Sequence, residues 1–147
     1  MKKSILYLLL LVLLASFIVF SDPTDLDVLC EELLVRRAEI WNNILIEGYG
    51  YSDFYNDMTS VAAGKLLVED LETFSYLKEN PTGMERVIAL EFYEESIEKQ
   101  GDNAFIKGKI IWIMEGNEDT EIIESDYEIT LEKHNKDWYI TGLQPVE

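Results

Sequence analysis

Between residues 103 and 115 the chain places an apolar or small side chain at every second position: Ala104, Ile106, Gly108, Ile110, Trp112 and Met114. A period of two marks a half-buried strand, because a helical face returns its apolar positions every three to four residues. After the polar turn at 115–120, Ile123, Tyr127, Ile129 and Leu131 repeat the device, with Glu124, Asp126, Glu128, Thr130 and Glu132 on the opposite side. Alternation of this kind requires an antiparallel sheet with one face on a core and the other in water. Residues 88–143 are therefore expected to form the β-meander that the rest of the chain is organised around.

Two further strands flank this pair. Residues 87–97 are read as the first strand, since Ile88, Leu90 and Phe92 alternate and the polar turn at 99–103 leads directly into Ala104. Leu90, Tyr93 and Ile97 also fit a helical face, so a helix is the alternative there. The last strand is expected at 138–143, after a turn at 134–137, with Trp138 and Ile140 on one face and Tyr139, Thr141 and Leu143 on the other.

Upstream the period changes. Leu26, Leu29, Cys30, Leu33, Leu34, Ala38, Trp41, Ile44 and Leu45 recur at helical steps, opposite Glu31, Glu32, Arg36, Glu39 and Asn43. This predicts an amphipathic helix of about six turns ended by Gly48, with Arg37 at the apolar edge, its stem packed and its head in water. A helical region at 60–79, strongest at Leu67, Leu71, Phe74 and Leu77, is stopped by Asn80 and Pro81. The fold class is thus α+β, with N-terminal helices packed on a curved four-stranded antiparallel sheet.

Residues 1–21 read as a signal peptide or an N-terminal membrane anchor. Lys2 and Lys3 precede an apolar run at 5–20 broken only by Ser16. Cleavage before Asp22 is favoured, with an uncleaved anchor as the alternative. Either way the lysines stay inside and residues 22–147, a single α+β domain, lie outside the cytoplasm: secreted, periplasmic or anchored to the outer face of the cytoplasmic membrane. Contact with the membrane is then made only through residues 5–20, if they remain attached. Cys30 is the lone cysteine and fits a small buried hydrophobe.

The formal net charge is −17, and −19 once Lys2 and Lys3 are set aside. Such a surface repels phosphate backbones, which excludes nucleic acid as a partner; the charge is read first as a solubilising surface, with a basic partner or a divalent cation as the sharper alternative. No catalytic residue, cofactor or metal is implied: nucleophile motifs, phosphate loops and paired Cys/His ligands are missing from the sequence. His134 falls in a predicted turn, and the acidic run at 115–121 lacks the spacing of a calcium loop. Asp53 and Glu91 are the carboxylates available as a base.

Tyr49, Tyr51, Phe54 and Tyr55 crowd into seven residues behind Gly48. They either close one end of the core or, with Trp112, line a ligand pocket. Phe105, Ile111 and Ile113 share the outer face of the second strand with Lys107 and Lys109, which marks them as an interface for a homodimer or a protein partner.

The segments IEKQGDNAFI at 97–106, YEITLEKHNKDWYI at 127–140 and GYGYSDFY at 48–55 together resemble the NTF2-like (cystatin-like, α+β cone) superfamily, in an exported bacterial form. The resemblance covers most of residues 24–144. It implies a cone whose mouth lies between helices and sheet, and either of two functions. One is an exported non-catalytic binding or assembly domain that engages a protein partner or a small apolar ligand at that mouth. The alternative is a small enzyme of the isomerase or dehydratase type, using a buried carboxylate and a tyrosine, with Asp53 beside Tyr51 or Tyr55.

Overall fold

A computed structural model describes residues 25–80, 84–116 and 119–146. In chain order these form helix α1 (Leu26–Asn42), a 3-10 turn (Asn43–Leu45), α2 (Tyr51–Met58), α3 (Gly64–Glu79) and strands β1 (Val87–Gln100), β2 (Asn103–Glu115), β3 (Thr120–His134) and β4 (Asp137–Pro145). The strands pair in the order β1-β2-β3-β4, each antiparallel to the next. Residues 87–97 are therefore strand, as the alternation at Leu90 and Phe92 predicts. The expected leader at 1–21 lies outside the described residues. Among those described, no helix is long and apolar enough to cross a membrane.

The period-two face of β2 is the floor of the core. Ala104, Ile106 and Ile110 are fully buried, and Ile129, Leu131, Trp138 and Ile140 continue the same face across β3 and β4. Helices cover it with Leu33, Leu34, Phe54, Met58, Leu66 and Phe74, which join the strand residues in one hydrophobic cluster. Cys30 belongs to it too, as expected of a lone thiol in a helical stripe.

Besides a register shift between Glu94 and Ser96, three irregularities bend the sheet or shorten a helix and override a simple periodic reading. Ile88 is the extra residue of a β-bulge between Val87 and Ala89, so it leaves the apolar face and is 56% exposed. A second irregularity at Thr130/Leu131 pairs Leu131 with Ile140 but Thr130 with Gly142. The extra residue, Thr141, restores Leu143 to the core side opposite Ile129, where period two alone puts it outside. Helix α1 stops at Asn42, well before Gly48, and tightens into the 3-10 turn; at its last residue the Asn42 side chain donates to the Val87 carbonyl (2.8 Å) and accepts from the Val87 N–H (2.9 Å). Asn42 thereby pins the end of α1 to the start of β1.

The sequence-adjacent hairpins close through residues that tolerate positive φ. Gly101 (φ 62°) turns β1 into β2, and Asn135 (φ 59°) turns β3 into β4.

Candidate functional site

The aromatic residues singled out in the sequence separate into two groups. Phe54 is buried in the core, stacked on Phe74 at 4.3 Å and tilted against Trp41 at 4.7 Å. Tyr49 and Tyr51 approach Phe74 edge-on from outside, at 6.3 and 6.4 Å. Tyr51 and Tyr55 remain 52% and 45% exposed. The Tyr49 hydroxyl donates to Asp57 Oδ2 at 2.7 Å. Burial first, then that hydrogen bond, pushes the Tyr49 hydroxyl well above the ordinary phenol range. Phe54 thus serves packing, while the tyrosines form the wet surface over it.

Trp112 stands elsewhere, on the concave side of the sheet. It pairs across β1 with Leu90 and across β3 with Ile123, and meets Tyr127 edge-to-face at 6.4 Å. Both rings are half-buried. The space between helices and sheet is filled elsewhere by Phe54, Phe74, Met58 and Ile110, and Trp112 and Tyr127, like Phe92 on β1, are concave-side aromatics still in reach of solvent.

On the outer face, the registers set the side chains in rows. Ile113 lies between Ala89 and Ile122, Ile111 between Glu91 and Glu124, Lys109 between Tyr93 and Asp126, and Phe105 between Glu98 and Thr130. The three residues expected to form one interface therefore fall into two patches. Ile111 and Ile113 join Ile122, which is 62% exposed. Phe105, about 20 Å along the strand, borders a separate hollow of about 260 Å³ shared with Ser96, Glu98 and Thr130. Lys107 and Lys109 divide them, held by Glu128 (2.7 Å) and Glu124 (3.7 Å). Alternation through Ile123 puts Ile122 on the outer face, opposite Ile113.

The nominated carboxylates have local work. Asp53 sits in the first turn of α2 and accepts from the Gly50 N–H at 2.9 Å, satisfying a helix-start donor. Glu91 is on the outer face, where it accepts from the Tyr93 hydroxyl at 2.8 Å. Asp126 and Glu128 are also on the outer face, and His134 is exposed at the end of β3, 3.2 Å from Glu132. Among the described residues, no three His, Cys, Asp or Glu side chains converge as a metal site.

The buried carboxylate is a different one. Asp70, on α3, is 3% exposed and is gripped by Arg37 of α1. Its signal lies in the spacing of Leu66, Asp70 and Phe74, one charged residue on a buried stripe, opposite an arginine at the apolar edge of α1. Both Asp70 oxygens bond to the guanidinium, so this carboxylate is a structural anion rather than a free base.

No family model and no curated protein matches the sequence. Solved structures do match in shape. An NTF-2 like protein of unknown function from Shewanella oneidensis MR-1 is 21% identical with a TM-score of 0.50, over 85% of this chain and 99% of that one. The intermembrane space region of the chloroplast protein ARC6 is 13% identical with a TM-score of 0.55, over 82% of this chain and 95% of that one. At these identities the likeness carries the fold alone. The fold is NTF2-like.

Proposed function

We propose that this chain is an exported, non-catalytic binding or assembly domain that holds a protein partner against the outer face of its sheet. The observation that carries the reading is the apolar patch of Ile111, Ile113 and Ile122, aligned on the solvent side of a sheet whose other side already has a filled core. Ile122 is exposed, with Ile111 and Ile113 half-buried beside it, and a partly exposed apolar cluster with a charged rim is the usual signature of a protein contact. The rim here is Glu91, Glu124 and Lys109. Export rests on Lys2, Lys3 and the apolar run at 5–20.

A photo-crosslinking residue placed at Ile111 or Ile113 of the full chain, expressed in its own cells, tests this reading. It should trap one recurrent partner species, or a second copy, whereas the same residue at exposed Glu72 on α3 should not. Equal or absent trapping at both positions rejects the sheet face as the contact surface. A second reading, a small apolar ligand at the mouth, is favoured by the half-buried Trp112–Tyr127 pair. A ligand there should quench or shift Trp112 emission and be insensitive to changes at Ile111 and Ile113.

A further inference from the structure

The two edges of the sheet are treated differently. On β4 the main chain itself seals the edge: the Ala63 N–H donates to the Ile140 carbonyl at 3.0 Å, and the Ile140 N–H to the Val61 carbonyl at 2.9 Å. On β1 no main chain is paired to the outer edge among the described residues. Two side chains of α1 reach it instead. Asn42 bonds both backbone groups of Val87, and Glu31 accepts from the Phe92 N–H at 3.4 Å. Between these points lies the bulge at Ile88.

Val28, Val35 and Asn42 recur every seven residues on α1, which puts the two valines on the same stripe as the side chain that binds β1. Two hollows meet along that stripe and share Val35 and Glu39. One, of about 60 Å³, runs between α1 and the bulge, over Ala38, Ile88 and Ala89. The other, a shallow trough of about 510 Å³, continues past Val28. The floor is apolar, with Val28 48% and Ile88 56% exposed. The rim carries Glu31, Glu32 and Glu39 against one cation, Arg36, whose guanidinium is engaged by the Ser60 hydroxyl at 3.1 Å.

We propose that this channel takes an extended basic segment of another protein, with apolar side chains on the valine and Ile88 floor and lysines or arginines against the three glutamates. Charge complementarity selects this occupant. A second copy is a poor fit, since the chain holds 29 acidic residues against 12 basic, and its basic residues downstream of residue 24 occur singly or in near pairs such as Arg36/Arg37 and Lys107/Lys109. The channel meets the outer sheet face only at Ala89, the row neighbour of Ile113, and the rest of its floor and rim lies on α1 and the bulge, so either reading stands if the other fails.

The probe is a synthetic peptide of alternating leucine and lysine, which is extended and basic, titrated into the full chain at physiological salt and followed by fluorescence anisotropy. An alternating leucine–glutamate peptide is the control. Glu31→Gln/Glu32→Gln/Glu39→Gln should weaken binding by about tenfold or more. Glu47→Gln/Glu72→Gln/Glu79→Gln removes the same charge from exposed positions elsewhere and should change binding by less than about twofold. Val35→Ala and Glu39→Gln, which leave the Glu31 and Asn42 bonds to β1 intact, should each weaken binding and keep the proposal testable if the triple variant does not fold. Equal losses in the two triple variants would reduce the effect to net charge and overturn the proposal. No binding by the unmodified chain, or a loss on Ile111→Ser/Ile122→Ser, which leaves Ile113 and Ala89 in place, would overturn it as well.

Discussion

Arg37 of α1 and Asp70 of α3 meet fork to fork, Nε to Oδ2 at 2.9 Å and Nη2 to Oδ1 at 2.5 Å, with side chains only 15% and 5% exposed. This pair ties together two helices that cover the sheet. A buried charge left without its partner is strongly destabilising, whereas replacing both charges by apolar groups of similar size is often neutral. Asp70→Ala should therefore lower the unfolding free energy by about 3–5 kcal/mol. The double variant Arg37→Met/Asp70→Leu should recover most of that loss. Urea unfolding followed by tryptophan emission measures both. A double variant no better than Asp70→Ala would mean that the pair is not the cause.

At Gly108 the sheet leaves no room for a side chain. A Cβ built there would lie 2.6 Å from Phe92 Cε2 and 2.6 Å from the Tyr93 carbonyl oxygen, where β1 passes close to β2. Gly108→Ala should cost about 1–3 kcal/mol through forced backbone shifts. Trimming the ring does not remove the backbone clash. Phe92→Ala/Gly108→Ala should thus melt below Phe92→Ala alone, and equal melting temperatures would show that the ring was the sole obstacle.

What the sequence made legible follows from which forces are local. The floor of the core could be read from Ala104 to Ile110 because a half-buried strand must alternate, whatever lies above it. The bulges at Ile88 and Thr141 were not legible, since each is fixed by the partner strand and by the helix that covers it rather than by the bulged residue. The site readings divide in the same way. Phe54 and the tyrosines beside it look alike in sequence, and only the packing of α2 against Phe74 separates the core ring from the wet ones. Asp70 is not legible in sequence, because a charge on an apolar stripe has meaning only once Arg37, 33 residues earlier, is brought opposite.

The Cys30 thiol is pushed up to about 12 from its ordinary 9.0, chiefly by burial and then by Glu31 and Asp27 nearby. Thiolate is the reactive form, so the folded protein should resist aromatic disulfide reagents at pH 8 and react at once in denaturant. The linkage has a definite sign. Below pH 9.0 the thiol is protonated in both states and costs nothing, and as pH rises from there towards 12 the unfolded chain ionises first. Stability should fall across that window in the native chain, and less so in Cys30→Ala after its lower baseline is subtracted. Rapid labelling of the folded protein at pH 8 would contradict the burial that underlies both expectations.

Phe54, Tyr51 and Tyr55 offer the sharpest separation of packing from surface function. Phe54 is completely buried between Trp41 and Phe74, so Phe54→Ala should cost about 3–5 kcal/mol. Tyr51 and Tyr55 lie on the same short helix and are about half exposed, so Tyr51→Ser and Tyr55→Ser should each change stability by about 0.5 kcal/mol or less. If these tyrosines bind anything, the double serine variant would lose that binding while its melting curve stays close to the parent's. Phe54→Ala cannot make that distinction, because it disturbs the core first. A large stability loss in the tyrosine variants would instead make this surface part of the core's closure, and would leave Trp112 and Tyr127 as the remaining aromatic candidates for a ligand.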